Sequence, residues 1–100
     1  MKEIKDWQAI VILNGKEQIA LPLPNCIIKG YLEGEIVKIQ AIDIDISKLI
    51  AIDPIGEKYI LSGAKDTYLN TLNRFIEISK EKDIKIPEIQ IEFIKDDLER

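Results

Sequence analysis

Histidine is missing from the sequence, and cysteine is nearly so. Without imidazole, the chain cannot use Ser–His or Cys–His nucleophilic catalysis, and it lacks the usual ligand of zinc and iron sites. The lone Cys26, next to Ile27 and Ile28, is typical of a buried thiol in a reducing compartment. No glycine-rich segment has the spacing of a phosphate-binding loop. The sequence therefore predicts a protein that is not an enzyme and binds no cofactor.

Long apolar segments and clusters of basic residues are also absent. No segment approaches the ~18 apolar residues of a membrane span, and the N-terminus has no leader cleavage pattern. The net charge is −4 and the pI about 4.8, with lysines interleaved among acidic residues. Phosphate binding depends on clustered lysine and arginine. We expect no membrane and no nucleic-acid partner, and a cytoplasmic protein of a bacterium, an archaeon or a phage.

The composition is that of one folded domain. The 100 residues are 46% apolar and 32% charged, which indicates a single globular domain over 1–100 with a charged tail at 95–100. Isoleucine dominates the apolar set, and this β-branched residue favours strands.

Asn14–Gly15 lies between two apolar segments and predicts a β-hairpin. The apolar pattern favours a three-residue loop with Gly15 in the left-handed conformation. That loop would place three residues of the first strand opposite three of the second: Val11, Ala9 and Trp7 opposite Glu17, Ile19 and Leu21.

A later segment changes the phase of its apolar residues. Val37, Ile39 and Ala41 are apolar at odd positions, whereas Ile42, Ile44 and Ile46 are apolar at even ones. Because the side-chain period of a strand is two, this shift predicts a β-bulge or a sharp bend near 41–42. Gly34 predicts the turn before this strand, and Pro54 with Gly56 a later turn.

From about 64 to 82 the period changes to that of an amphipathic helix. Beyond it, alternation over 89–93 favours a final strand, with a helix beginning at Pro87 as the alternative.

The predicted fold is α+β: a twisted, meander-like antiparallel sheet of six or seven short strands, one of them bulged, with one amphipathic helix packed on a face. The helix residues expected to face the core are Tyr68, Leu69, Leu72, Phe75, Ile76 and Ser79.

Two sets of side chains are candidates for a binding site. Asp43 and Asp45 alternate with isoleucine, and Asp53 follows at the next turn. Three interpretations are open: a solvated strand face, an acidic patch for a partner, or a pair of carboxylates for metal binding or catalysis, of which the solvated face is the simplest. Trp7, Tyr31 and Tyr59 are either core residues or interface anchors.

No family resemblance accompanies these patterns, so the predicted function depends on the surface alone. We expect a small acidic, non-enzymatic protein-binding module, such as an immunity protein, an inhibitor or a phage or accessory regulator, whose partner has a basic surface. The alternative is a small-ligand binder that uses an aromatic groove. We also expect a homodimer formed through an uncovered sheet face or an edge strand, because several isoleucines fall outside the predicted core, namely Ile10, Ile12, Ile60 and Ile78.

Overall fold

The computed structural model describes residues 1–81, which form seven strands and one helix. This confirms an α+β fold built on one sheet. The predicted strand at 89–93 and the charged tail at 95–100 lie outside the described residues. The elements are β1 (Lys2–Leu13), β2 (Lys16–Ile19), β3 (Cys26–Leu32), β4 (Glu35–Ala41), β5 (Asp43–Asp45), β6 (Ile50–Ile52), β7 (Lys58–Ser62) and α1 (Asp66–Glu81).

The sheet is mixed, so the prediction of a purely antiparallel, meander-like sheet was wrong. The strand order is β4-β3-β1-β7-β6-β5, and β2 pairs with β1 outside this order. Hairpins join β1 to β2 and β3 to β4, but β7 returns to the first half of β1 and runs parallel to it. β1 is long enough to pair with two strands in succession, because its first half pairs with β7 and its second half with β2.

Of the two predicted irregularities near 41–42, the structure has the bend, at Ile42, and the chain changes strand partner there. Ala41 pairs with Cys26 of β3, whereas Asp43 pairs with Ile52 of β6. The N–H of Ile42 already donates to the carbonyl oxygen of Ile52, at 2.9 Å. Because β4 and β5 end the strand order yet follow each other in the chain, the chain links the two ends of the sheet into a ring, although β4 itself pairs only with β3.

The hairpin between β1 and β2 has a two-residue loop, and the predicted three-residue loop was wrong. Leu13 pairs with Lys16, and both Asn14 and Gly15 have positive φ (52° and 75°), as in the primed turns that suit tight hairpins. The tip of this hairpin is exposed on both faces, and Leu13 is exposed with it. The apolar pattern therefore does not constrain the pairing at this end.

The core lies between the sheet and one side of α1. Tyr68, Leu69 and Leu72 are buried, as the helical period predicts, whereas Phe75 is exposed, contrary to the prediction. The ring of Trp7 contacts that of Tyr68 with 5.6 Å between the centroids, and the Tyr68 hydroxyl donates to the carbonyl oxygen of Ala20 at 2.8 Å. Burial raises the pKa of Tyr68. Within residues 1–81, α1 lacks the length and apolar content needed to cross a membrane.

β1 is bent where it passes β3. Its pairing shifts between Lys5 and Gln8, and Asp6 in this interval has a φ of 53°. The bend brings β1 so close to Gly30 that a Cβ there would lie 2.6 Å from Ile4 Cγ2 and 2.8 Å from the Lys5 carbonyl oxygen. Only glycine fits this crossing without a shift of the backbone.

Candidate functional site

Asp43 and Asp45 both accept hydrogen bonds from their own segment. Asp43 accepts the N–H of Ile44 at 2.9 Å. Asp45 accepts the hydroxyl of Ser47 at 2.7 Å and the N–H of Lys48 at 3.2 Å. These bonds, above all that from Ser47, lower the pKa of Asp45. The Asp45 carboxylate thus stabilises the turn that follows β5, an arrangement in which Asp commonly occurs.

Asp53 is buried and organises the turn between β6 and β7. One carboxylate oxygen accepts the N–H groups of Ile55 and Glu57, at 3.1 and 2.9 Å, and the other accepts the Tyr59 hydroxyl at 3.0 Å. Burial, followed by the hydrogen bond to Asp53, raises the pKa of Tyr59. Asp53 and Tyr59, both predicted site residues, are therefore buried and hydrogen-bonded to each other.

The three carboxylates do not form a common site, since each serves a different turn contact. In the part of the chain that the structure describes, no group of three His, Cys, Asp or Glu side chains is placed to hold a metal ion. Trp7 is also withdrawn from the surface, because it is fully buried against Tyr68.

Changing Asp43 and Asp45 together to asparagine is expected to preserve the fold and to lower the melting temperature by no more than a few degrees. The side chains are short-range turn acceptors near the surface, and an amide oxygen can accept the same hydrogen bonds. Circular dichroism and thermal unfolding measure both effects. A large loss of stability, or release of a bound metal from the wild-type protein, would contradict the turn interpretation.

Tyr31 is the one predicted aromatic site residue that is open to solvent, and it has an apolar neighbour. It pairs directly with Ile36 across β3 and β4. The exposed fractions are 42% for Tyr31 and 62% for Ile36. Alternate residues of the two strands share this outward side, while Cys26, Ile28 and Ala41 face the core. We call this surface the β3–β4 face; it comprises Ile27, Lys29, Tyr31, Ile36, Lys38 and Gln40.

The charges of the β3–β4 face lie in its middle row, where Lys29 pairs with Lys38 between the Ile27–Gln40 and Tyr31–Ile36 rows. Glu17 of β2 accepts hydrogen bonds from Lys38 and from Lys29, the latter at 3.1 Å. These two bonds, led by the one from Lys38, lower the pKa of Glu17. The two lysines share one carboxylate, and the row next to them is the apolar pair of Tyr31 and Ile36.

A recess of about 260 Å³ lies beside this pair, between β1, β3 and the segment before α1. Gln8, Lys29 and Lys65 contribute polar groups to it, and Tyr31 and Ile36 form its apolar border. It is open to solvent.

Comparison with known proteins found no matching family model, no similar curated protein and no similar solved structure.

Ile36 was missed as a candidate, although the sequence contained a signal for it. The alternation over 35–41 assigns Val37, Ile39 and Ala41 to the core face, and it therefore places Ile36 on the opposite face. An isoleucine out of phase with the core set is a surface residue by the same rule that locates the core.

Proposed function

We propose that the protein is a small, non-enzymatic protein-binding module that contacts its partner through the β3–β4 face. One observation carries the proposal: Tyr31 and Ile36 form a directly paired, exposed apolar contact on the outer side of the sheet. An immunity protein, an inhibitor and a phage or accessory regulator all work through such a surface.

The arrangement has the anatomy of a small contact surface. Tyrosine is enriched among interface residues whose truncation costs much binding free energy, because it has a large ring and few rotatable bonds. Glu33 and Glu35 are exposed at the turn beside the pair. A partner with basic groups around an apolar centre would match this surface, since rim charges guide association.

The alternative of a small-ligand binder has less support. The recess beside Tyr31 could hold a small molecule, but Trp7 and Tyr59, the other predicted stacking residues, are buried. We further propose that the protein acts in the cytoplasm. Cys26 is buried, and burial raises the pKa of its thiol to about 11, which suits a residue that stays reduced.

Ile36→Asp is expected to abolish partner binding, whereas Ile55→Asp is expected to leave it unchanged. Ile55 is the matched control because it is an isoleucine, is 88% exposed and lies on the turn between β6 and β7, which is not part of the β3–β4 face. Immobilised wild-type and variant proteins would be exposed to a lysate of the source organism, and the retained proteins identified by mass spectrometry.

The expected result is a protein retained by the wild type and by Ile55→Asp, and reduced more than about tenfold on Ile36→Asp, the effect of losing one strong contact. Circular dichroism would establish that both variants fold. Equal retention by the two variants, or no retained protein at all, would contradict the proposal.

A further inference from the structure

We propose that the free edge of β4 pairs with β4 of a second copy of this chain, antiparallel, with Ile36 on the two-fold axis. The inference rests on the proposed function, because it names a partner for the β3–β4 face. It specifies the strand that pairs, the register of the pairing and the residue that lies opposite its own copy.

β4 differs from the other edges of the sheet in residues 1–81. Its seven residues pair with β3 without interruption, and it contains neither proline nor glycine. By contrast, β2 has four residues and is largely charged or polar, and β5 has three residues, two of them aspartates. Soluble proteins prevent unwanted pairing at sheet edges by keeping the edge strands short or by placing charged residues on them. β4 is the edge that is not short, and its two charged residues, Glu35 and Lys38, leave Ile36 and Val37 between them.

The exposure of β4 indicates that its outer side is uncovered by the described residues. Ile36 is the most exposed apolar strand residue of the face. Val37 and Ile39, although directed toward the core, are only partly buried. An added strand would cover all three, and two-fold symmetry is the commonest way for a soluble chain to cover such a surface.

The register follows from the side chains. With Ile36 on the axis, Ile36 lies opposite Ile36 of the second copy. Because Tyr31 is the partner of Ile36 within each chain, the outward face then carries one continuous apolar row of two tyrosines and two isoleucines. Cross-strand aromatic and β-branched pairs of this kind are the units that stabilise sheets.

Charge supports the same register. Lys38 would lie opposite Gly34 of the second copy, beside Glu33 in the turn of that copy, whereas Glu35 points to the other face of the strand. By symmetry, each end of the apolar row then has one lysine near one turn glutamate.

The neighbouring registers are worse. An axis at Lys38 would set the two lysines opposite each other, which is destabilising. An axis at Ile39 would need the backbone of Ile42, whose N–H already donates to Ile52. An axis at Val37 would place Ile36 opposite Lys38 and leave the apolar row broken.

The paired segment, from Gly34 to Lys38 in each copy, is short. Specific contacts of the smallest class are weak and transient, so we expect a dimer that forms at tens of micromolar and dissociates on dilution. Light scattering over this concentration range gives the mass.

Cysteine cross-linking tests the register. Directly opposed residues of antiparallel strands have Cα atoms ~4.5–5.5 Å apart, within reach of a disulfide. Under mild oxidation, Ile36→Cys should form a disulfide-linked dimer at least about tenfold more than Lys38→Cys or Ile55→Cys, because only a residue on the axis meets its own copy at that distance. The wild-type protein is the negative control for cross-linking, since its only thiol, Cys26, is buried.

Several results would overturn the proposal. These are a monomeric mass at all concentrations, equal cross-linking of Ile36→Cys and Ile55→Cys, stronger cross-linking of Lys38→Cys, or a dimer that persists in Ile36→Asp. A monomer whose β4 amides are protected from hydrogen exchange would mean that a strand other than a second copy covers the edge. If the protein is monomeric while a partner is still retained by the wild type and lost by Ile36→Asp, this inference fails and the proposed function stands.

Discussion

Replacing Leu72 with alanine is expected to lower the free energy of unfolding by about 2–5 kcal/mol. Leu72 is fully buried on the side of α1 that packs against the sheet, in the same cluster as Tyr68 and Trp7. The substitution removes apolar contacts and leaves a cavity that aromatic neighbours can fill only in part.

Chemical denaturation, read by circular dichroism and by the fluorescence of Trp7, gives the change in the free energy of unfolding. Asn73→Ala is the matched control, because Asn73 is the next helix residue and is exposed. Its expected effect is within about 0.5 kcal/mol of zero. A loss below about 1 kcal/mol for Leu72→Ala, far under the range for buried leucines, would mean that α1 packs by another side.

Replacing Gly30 with alanine is expected to destabilise the protein by about 1–3 kcal/mol, the usual cost of overpacking. In an ordinary strand position the same change stabilises, since glycine is about 0.5–1 kcal/mol less favourable than alanine. At Gly30 the new methyl group would meet the carbonyl oxygen of Lys5 at 2.8 Å. That atom belongs to the backbone and cannot rotate away. The change in stability on replacing glycine with alanine is therefore a loss here instead of a gain.

Denaturation again provides the measurement, with Gln40→Ala as the control. Gln40 lies on the neighbouring strand β4 and is exposed, so its replacement reports the cost of alanine in this sheet without a steric conflict. Equal or greater stability of Gly30→Ala would show that β1 and β3 are farther apart than the structure has them.

Local patterns predicted much of the fold. The helix follows from its apolar period, and the turns at Asn14–Gly15 and Gly34 from their residues. The parallel pairing of β1 with β7 has no such local signal, because it joins residues distant in the chain. The loop length at Asn14 was missed for a different reason: the apolar pattern cannot select a register where neither face is buried.

The candidate site was predicted only in part. Tyr31 lies at the surface as an interface residue must, whereas Trp7 and Tyr59 are buried. Aromatic residues with a polar group are suited to either environment, so sequence alone cannot assign them. The aspartates formed a row only in the sequence. Asp45 and Asp53 instead accept hydrogen bonds from backbone groups of their own turns, and these bonds depend on turn geometry.

The ring of strands sets an order for assembly. Lys2 at the start of β1 pairs with Tyr59 of β7, more than fifty residues later in the chain. Contacts so distant in sequence are costly in loop entropy and slow the folding of a domain. During synthesis the β1–β2 hairpin can form early, but the first residues of β1 have no partner on that side until β7 has left the ribosome. β1 comes first among the described strands, yet it is among the last of them to be completed, because the ring closes only after β7 has been made.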